Sequence, residues 1–278
     1  MKIIVAKTAG FCFGVKRAVN IAFRLARKKR KGVYTIGPII HNPQVVEKLK
    51  REGIIPLERI KAKKDIKALI VRTHGIPLTL SKKLSAMGYE IIDATCPFVK
   101  KAQYYAKLLK EKGYQVVILG EKEHPEVKGL MSYAGADAVV VDGKRPLPKL
   151  KNKVGIVVQT TQPLEALKRV LSEAIELAKE IKVYNTICYF TAMRLKETEE
   201  MARKVDVMLV VGGKNSANTT QLAKLTRSLS VTTYHIETSS EIRAEWFKGA
   251  QKVGITAGAS TPDWIIKEVE ERIRDIGG

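Results

Sequence analysis

The sequence predicts an α/β fold made of three repeated units, each with a parallel-type β-sheet. The first observation is the spacing of the cysteines, because Cys96 follows Cys12 by 84 residues and Cys188 follows Cys96 by 92. The second is that a short β-type run precedes each cysteine and a helical pattern follows it. The third is that two strands, each ending in a polar loop, then recur at matching positions, which indicates an internal repeat.

Each unit is predicted from the same order of elements. Apolar, β-branched runs predict a strand ahead of each cysteine, at 3–5, 91–96 and 183–188. Apolar residues at helical spacing predict a helix behind each cysteine, over Val15–Leu25, Ala102–Leu109 and, more weakly, Ala192–Ala202. A second strand then leads into a polar loop at 37–43, 120–126 and 212–218. A third strand with its polar loop covers 68–75, 154–161 and 253–260, and a helix follows it.

These repeats predict three α/β domains, at residues 13–95, 96–187 and 188–278. The last unit ends in a helix without a strand after it, and the chain begins with a strand that no helix precedes. We therefore expect the N-terminal segment, 1–12, to complete the third sheet. Because ligands collect at the carboxyl ends of parallel strands, the cysteines and polar loops are expected to face one centre, in a pseudo-threefold arrangement.

Composition narrows the class of protein. Apolar residues make up 45% of the 278, and no run is long enough to predict a membrane span. The first seven residues place only four apolar residues between lysines, too few for a signal peptide, so we expect a cytoplasmic protein. The formal net charge of +22 indicates an anionic partner, such as nucleic acid, an acidic protein or a phosphorylated ligand.

A nucleic-acid-binding protein is the main alternative from another class. The charge and the basic run Arg27–Lys31 favour it, although basic residues are also typical of a helix C-terminus. Aromatic residues amount to 6% and are not interleaved with the basic runs, so stacking platforms for bases are not evident. This alternative also leaves the cysteine spacing unexplained.

Three cysteines in a reducing compartment exclude a disulfide scaffold. Unrelated buried cysteines are one interpretation, which the shared spacing disfavours. A structural zinc ion held with a histidine is another, although zinc sites usually use closely spaced pairs of cysteines. An iron–sulfur cluster with three protein ligands fits best, because the missing fourth ligand would leave one iron open to a substrate.

The polar loops supply groups that suit phosphate oxygens and one group that does not. Three of the four histidines lie in these loops at repeated positions, whereas His235 lies outside the pattern and is given no role. The candidates for binding are histidines, hydroxyls and an amide: His41, His74, His124, Thr160, Ser216, Asn218 and Ser260. The carboxylate of Glu126 would repel a phosphate, so proton delivery is its expected task.

Eight segments spread along the chain closely resemble the 4-hydroxy-3-methylbut-2-enyl diphosphate reductase family, also called LytB. They are Ala9–Ala18, Gly37–Asn42, Arg72–Gly75, Asp93–Pro97, His124–Val127, Gln159–Thr161, Lys214–Ser216 and Thr256–Ser260. The resemblance implies a trefoil of three domains around one oxygen-sensitive [4Fe–4S] cluster on Cys12, Cys96 and Cys188. It implies the last step of the non-mevalonate isoprenoid pathway, in which two electrons and two protons convert the allylic alcohol diphosphate into isopentenyl and dimethylallyl diphosphates and water.

The resemblance also assigns roles to the loop residues. The substrate hydroxyl would bind the open iron, and the diphosphate would be held by His41, His74, Ser216, Asn218 and Ser260. Glu126 would supply protons. Thr160 would orient the hydroxyl or relay a proton to it, and His124 would lie beside the substrate and support proton transfer.

Two departures from the family pattern stand out. Ala217 replaces a serine that relatives often carry and that also touches the diphosphate. After the third cysteine the chain reads Tyr189-Phe190-Thr191, where the family usually has Ala before that Thr, and Leu195 stands where a Gln is usual.

For partners, the charge predicts an acidic one-electron donor such as a ferredoxin or flavodoxin, with no nucleic acid and no membrane. The sequence does not decide between a monomer and a homodimer, nor does it define the product ratio.

Overall fold

The computed structural model describes residues 1–29, 32–57 and 66–277, and it confirms the predicted fold class. The described residues form three four-stranded sheets in which every strand pair is parallel. The strands are β1 (Lys2–Val5), β2 (Val33–Ile36), β3 (Ile54–Leu57), β4 (Ala68–Val71), β5 (Glu90–Asp93), β6 (Gln115–Leu119), β7 (Val139–Val141), β8 (Lys153–Val158), β9 (Glu180–Tyr184), β10 (Val207–Val211), β11 (Thr232–Ile236) and β12 (Lys252–Ala257).

Helices form most of the connections between the strands, as is usual in parallel sheets. They are α1 (Phe13–Lys29), α2 (Pro43–Arg51), α3 (Leu78–Ala86), α4 (Pro97–Glu111), α5 (Pro125–Ala134), α6 (Leu164–Leu177), α7 (Tyr189–Ala202), α8 (Ala217–Ser228) and α9 (Asp263–Gly277), with short 3-10 helices at Ser239–Glu241 and Ala244–Phe247. The last two residues of the basic run Arg27–Lys31 lie outside the described residues. Within the described ranges, no helix combines the length and the apolar character that a membrane crossing needs.

The three sheets share one strand order, so the repeat found in the sequence is also a repeat of the structure. The orders are β5-β4-β2-β3, β9-β8-β6-β7 and β1-β12-β10-β11. In each sheet the strand that leads to a cysteine occupies one edge, and a strand that the sequence analysis does not predict occupies the other. The N-terminal strand β1 lies beside β12, with Val5 opposite Ile255.

The central strands explain why the sequence pattern is so clear. All five residues of β6 and all five of β10 are buried, and β2 and β4 are buried throughout. Strands buried on both faces carry continuous apolar runs rather than alternating ones. Gly155 in β8 shows how closely α4 packs, because a Cβ at that position would lie 2.5 Å from Leu109.

The chain divides into two compact units. One consists of Met1–Lys16, Ile40–Lys48 and Tyr189–Gly278, and it contains the sheet of β1, β10, β11 and β12. The other consists of Arg17–Ile39 and Leu49–Cys188, and it contains the other two sheets. We call them the first and second compact unit. The division into three domains at 13–95, 96–187 and 188–278 stays a prediction.

Candidate active site

The three cysteines occupy the same structural position in the three repeats. Each is half-buried, follows the strand at one edge of its sheet and directly precedes the first residue of a helix, namely α1, α4 or α7. The backbone N–H of each cysteine donates to a backbone carbonyl in the polar loop that follows the neighbouring strand of the sheet. These bonds are Cys12 N to Ala259 O at 3.2 Å, Cys96 N to Thr73 O at 2.9 Å and Cys188 N to Thr160 O at 2.8 Å.

This position suits a thiolate ligand. The N-terminus of a helix carries partial positive charge, which favours a negative group such as a thiolate, the form that binds metal. The backbone bonds hold each cysteine against its own polar loop. The bonded loop residue is a predicted site residue at Thr160, and at Thr73 and Ala259 it directly precedes one, His74 or Ser260. The donor set of half-buried thiols at helix N-termini therefore fits an iron–sulfur group better than it fits an inert core position.

The second compact unit contains the predicted proton donor. Glu126 lies in the first turn of α5 and is 1% exposed. Its Oε1 accepts the Thr160 N–H at 2.7 Å, and its Oε2 accepts the Thr160 hydroxyl at 2.9 Å. Burial raises the pKa of Glu126 to about 7, although both hydrogen bonds from Thr160 favour the ionised form. A carboxyl group that titrates near neutral pH is suited to general acid–base chemistry.

The same unit brings two of the predicted histidines together. The rings of His74 and His124 lie 5.2 Å apart, centroid to centroid, and are perpendicular. His124 caps the N-terminus of α5, where its Nδ1 accepts the backbone N–H of Glu126 at 3.2 Å. Because Nδ1 is the acceptor, a neutral His124 ring carries its proton on Nε2. His124 thus holds the start of the helix that carries the acid and keeps a donor on its other nitrogen.

The first compact unit gathers four of the proposed diphosphate ligands. The Ser260 hydroxyl donates to the His41 carbonyl at 3.2 Å. The loop ahead of α8 passes close to that carbonyl, since a Cβ on Gly213 would lie 2.7 Å from His41 O. Ser216 caps α8, accepting the N–H of Thr219. His41, Ser216 and Ser260 therefore share one region, at the carboxyl ends of β10 and β12.

Asn218 completes this region, and its amide carries both an occupied acceptor and an unoccupied donor among the described residues. Its Oδ1 accepts from Ala259 N at 2.9 Å and from Arg194 Nη1 at 3.2 Å. Its Nδ2 is buried and has no hydrogen-bond partner within the described residues. A buried amide of this kind costs free energy unless its protons are accepted, which makes Asn218 a candidate position for an anionic ligand.

Several residues fall outside the site or were missed. His235, which the sequence analysis gives no role, bonds through Nε2 to Gly212 O at 2.9 Å, and burial lowers its pKa. Arg194 was not selected, yet it is 4% exposed and bonded to Asn218. Of the departures from the family pattern, Ala217 begins α8 beside Ser216. Tyr189 and Phe190 are exposed on the first turn of α7.

Fold and site together define an α/β enzyme whose candidate reactive side chains and cysteines all lie in the segments that follow the carboxyl ends of parallel strands. A family model described as LytB protein matches residues 3–274 of the chain. The 4-hydroxy-3-methylbut-2-enyl diphosphate reductase of Pelobacter propionicus is 51% identical over 278 residues, which cover 99% of both chains. The enzyme of the same name from Geobacter metallireducens is 50% identical and covers 99% of this chain and 98% of its own.

Solved structures agree with these relatives. One is the structure of (E)-4-hydroxy-3-methyl-but-2-enyl diphosphate reductase, the terminal enzyme of the non-mevalonate pathway. It superimposes with a TM-score of 0.72 and is 44% identical in sequence, and the match covers 99% of this chain and all of that chain. Another is the structure of the E-1-hydroxy-2-methyl-but-2-enyl-4-diphosphate reductase from Plasmodium falciparum. It superimposes with a TM-score of 0.89 and is 26% identical in sequence, and the match covers all of this chain and 88% of that chain. The chain belongs to the LytB family, and it is an oxidoreductase.

Proposed function

We propose that this chain reduces 4-hydroxy-3-methylbut-2-enyl diphosphate to isopentenyl and dimethylallyl diphosphates, the last step of the non-mevalonate pathway. The names of the relatives support the reaction. The observation that carries the proposal is the Glu126–Thr160 pair, a buried carboxyl group with a pKa of about 7 among residues that otherwise suit phosphate. A site that only bound a diphosphate would not benefit from that carboxyl group.

The cofactor we propose is one [4Fe–4S] cluster held by Cys12, Cys96 and Cys188. When bound, the cluster supplies electrons and one iron without a cysteine ligand. Two features support this ligand set: the chain contains only these three cysteines, and all three occupy equivalent strand-to-helix positions. A bound zinc ion is the competing occupant, and it would provide no redox chemistry.

The chain's own residues provide binding and protons. The allylic C–O bond breaks, two electrons and two protons enter, and the hydroxyl group leaves as water. Glu126 in its protonated form gives a proton, and it is regenerated by uptake from solvent through neighbouring groups. Thr160 Oγ1 lies 2.9 Å from Glu126 Oε2 and orients the substrate hydroxyl or relays the proton to it. His124 assists proton transfer through its Nε2–H.

The diphosphate is assigned to His41, His74, Ser216, Asn218 and Ser260. Imidazole, hydroxyl and amide groups donate hydrogen bonds to phosphate oxygens. The buried Asn218 Nδ2 supports this assignment, because a phosphate oxygen would satisfy it.

The net charge of +22 supports an acidic one-electron donor of the ferredoxin or flavodoxin class as partner. We further propose that the enzyme works in the cytoplasm, where reducing conditions keep the three thiols available for metal.

The test is reductive turnover by protein purified without oxygen. Brown, iron-loaded protein supplied with the substrate and a reduced viologen dye should oxidise two dye molecules for each substrate consumed, and chromatography should show both five-carbon diphosphates. Colourless, zinc-loaded protein is the control and should oxidise no dye. If iron-loaded protein neither oxidises dye nor consumes substrate, the proposed reaction is wrong.

A further inference from the structure

A buried arginine in α7 connects two parts of the proposed site in the first compact unit. The guanidinium group of Arg194 donates three hydrogen bonds to three different groups. Nε bonds to Thr8 O at 2.8 Å, Nη2 to Gly10 O at 2.8 Å and Nη1 to Asn218 Oδ1 at 3.2 Å. One planar group thus holds both the chain just before Cys12 and the amide of a proposed diphosphate ligand.

Arg194 and the Ala259 N–H together decide which end of the Asn218 amide faces the ligand. Oδ1 receives hydrogen bonds from Arg194 Nη1 and from Ala259 N, and both of these groups are donors only. The oxygen must therefore lie on that side, and Nδ2 points the other way. Within the described residues Nδ2 is buried and has no partner. The Asn218 amide is thus oriented so that its donor, Nδ2, rather than its acceptor, Oδ1, is available to an anionic group.

The contacts with Thr8 and Gly10 belong to a second function of α7. One turn after Arg194, Glu197 accepts Lys7 N at 2.7 Å, Thr8 N at 2.8 Å and the Thr8 hydroxyl at 2.5 Å. The arginine holds the carbonyls of this segment and the glutamate holds its N–H groups. The segment leads directly to Cys12, and α7 itself begins one residue after Cys188.

We propose that Arg194 is a positioning residue with two effects, an inference that rests on the proposed function. It turns the Asn218 amide so that Nδ2 donates to the diphosphate, and together with Glu197 it fixes the loop that carries Cys12. Arginine suits this task because its planar fork reaches three acceptors at once, whereas the single ammonium of lysine cannot span them. Replacement by lysine is therefore not conservative here.

The first test measures the binding of inorganic diphosphate by calorimetry, which does not depend on turnover. Iron-loaded wild-type protein is compared with R194M, N218A and the double variant. Each single change should weaken binding about tenfold, roughly the effect of one hydrogen bond to a charged group. The double variant should be no more than about threefold weaker than either single variant, because the arginine acts through the amide.

Additive losses, or unchanged binding by R194M, would overturn the positioning role. If wild-type protein itself does not bind diphosphate, the failure lies with the proposed function instead. R194K covers the case in which R194M does not fold. It keeps the positive charge but loses the planar guanidinium group, so we expect it to weaken diphosphate binding as well. Undiminished binding by R194K would count against the proposal.

The second test separates the two effects by means of Glu197. E197Q leaves the Arg194–Asn218 contact in place but loosens the segment before Cys12. It should therefore bind diphosphate like the wild type while losing iron to a chelator several-fold faster. The matched control is R203A, at the residue directly after the same helix, which removes an exposed ion pair with Glu199 in the helix. Iron release from E197Q at the rate of R203A would refute the effect on the cysteine loop.

Discussion

The exchange of Glu126 for glutamine tests the proposed chemistry most sharply. Glutamine is nearly isosteric: its carbonyl oxygen can accept the Thr160 N–H, and its NH2 group can donate to the Thr160 hydroxyl oxygen, but it has no acidic proton to deliver. Loss of general acid–base assistance typically lowers the rate about 10²–10⁴-fold. We expect E126Q to retain iron and to bind the substrate while kcat falls within that range.

The pKa of Glu126 also gives this prediction a pH dependence with a defined sign. A glutamate in the unfolded chain titrates near 4.5, and Glu126 in the folded chain titrates near 7, so the folded state retains a proton that the unfolded state releases between these values. The corresponding stabilisation is fully present below pH 4.5 and is lost as the pH rises through 7. At 1.36 kcal/mol per pKa unit, it amounts to about 3 kcal/mol. In E126Q this pH dependence should be absent.

A difference titration of wild-type protein against E126Q under argon measures the proton directly. We expect one proton per chain with a midpoint near pH 7, and kcat of the wild type should fall above that pH because the acid becomes ionised. T160V, which removes the Oγ1 hydrogen bond to the carboxylate, should shift the midpoint upward. D142N is the control, since backbone hydrogen bonds lower the pKa of half-buried Asp142 to about 2. A midpoint near 4.5 for Glu126, or near-normal kcat in E126Q, would refute the reasoning.

Three further predictions concern binding. H41A and H74A should each raise KM more than they lower kcat, because each removes a hydrogen-bond donor to the diphosphate. Steady-state kinetics in which kcat falls more than KM rises would contradict their assignment. A217S should lower KM about 2–10-fold, since it adds a hydroxyl group beside Ser216 that can donate one more hydrogen bond to the diphosphate. An unchanged KM would show that position 217 does not reach the diphosphate. Raising the salt concentration should slow reduction of the enzyme by an acidic carrier protein more than its reduction by a neutral dye, because the net charge of +22 attracts the carrier over long range. Equal salt dependence of the two rates would count against an acidic partner.

The repeat and the fold class are predictable because burial leaves a strong pattern. The central strands β2, β6 and β10 are buried on both faces and read as continuous apolar runs. The edge strands β3, β7 and β11 were missed. In two of them the run itself is a weak signal, because Ile54–Leu57 of β3 includes a proline and Val139–Val141 of β7 has only three residues.

The candidate site is predictable where it depends on topology and unpredictable where it depends on packing. Parallel strands present their carboxyl-end loops together, so the loop residues could be chosen from position alone. The stripe predicted after Cys188 is weak because the buried face of α7 is largely polar, with Thr191, Arg194 and Thr198 buried while Ala192 is exposed. Neither the role of Arg194 nor the raised pKa of Glu126 can be derived from local sequence, since both arise from contacts with distant segments.

The most direct test of the central claim is elemental and Mössbauer analysis of protein purified without oxygen. The claim is that three equivalent cysteines hold one cluster with an open iron. We predict four irons and four sulfides per chain, with one iron spectroscopically distinct from the other three and shifted when substrate is added. Zinc in place of iron, or stable four-iron loading in a C188S variant, would contradict the account.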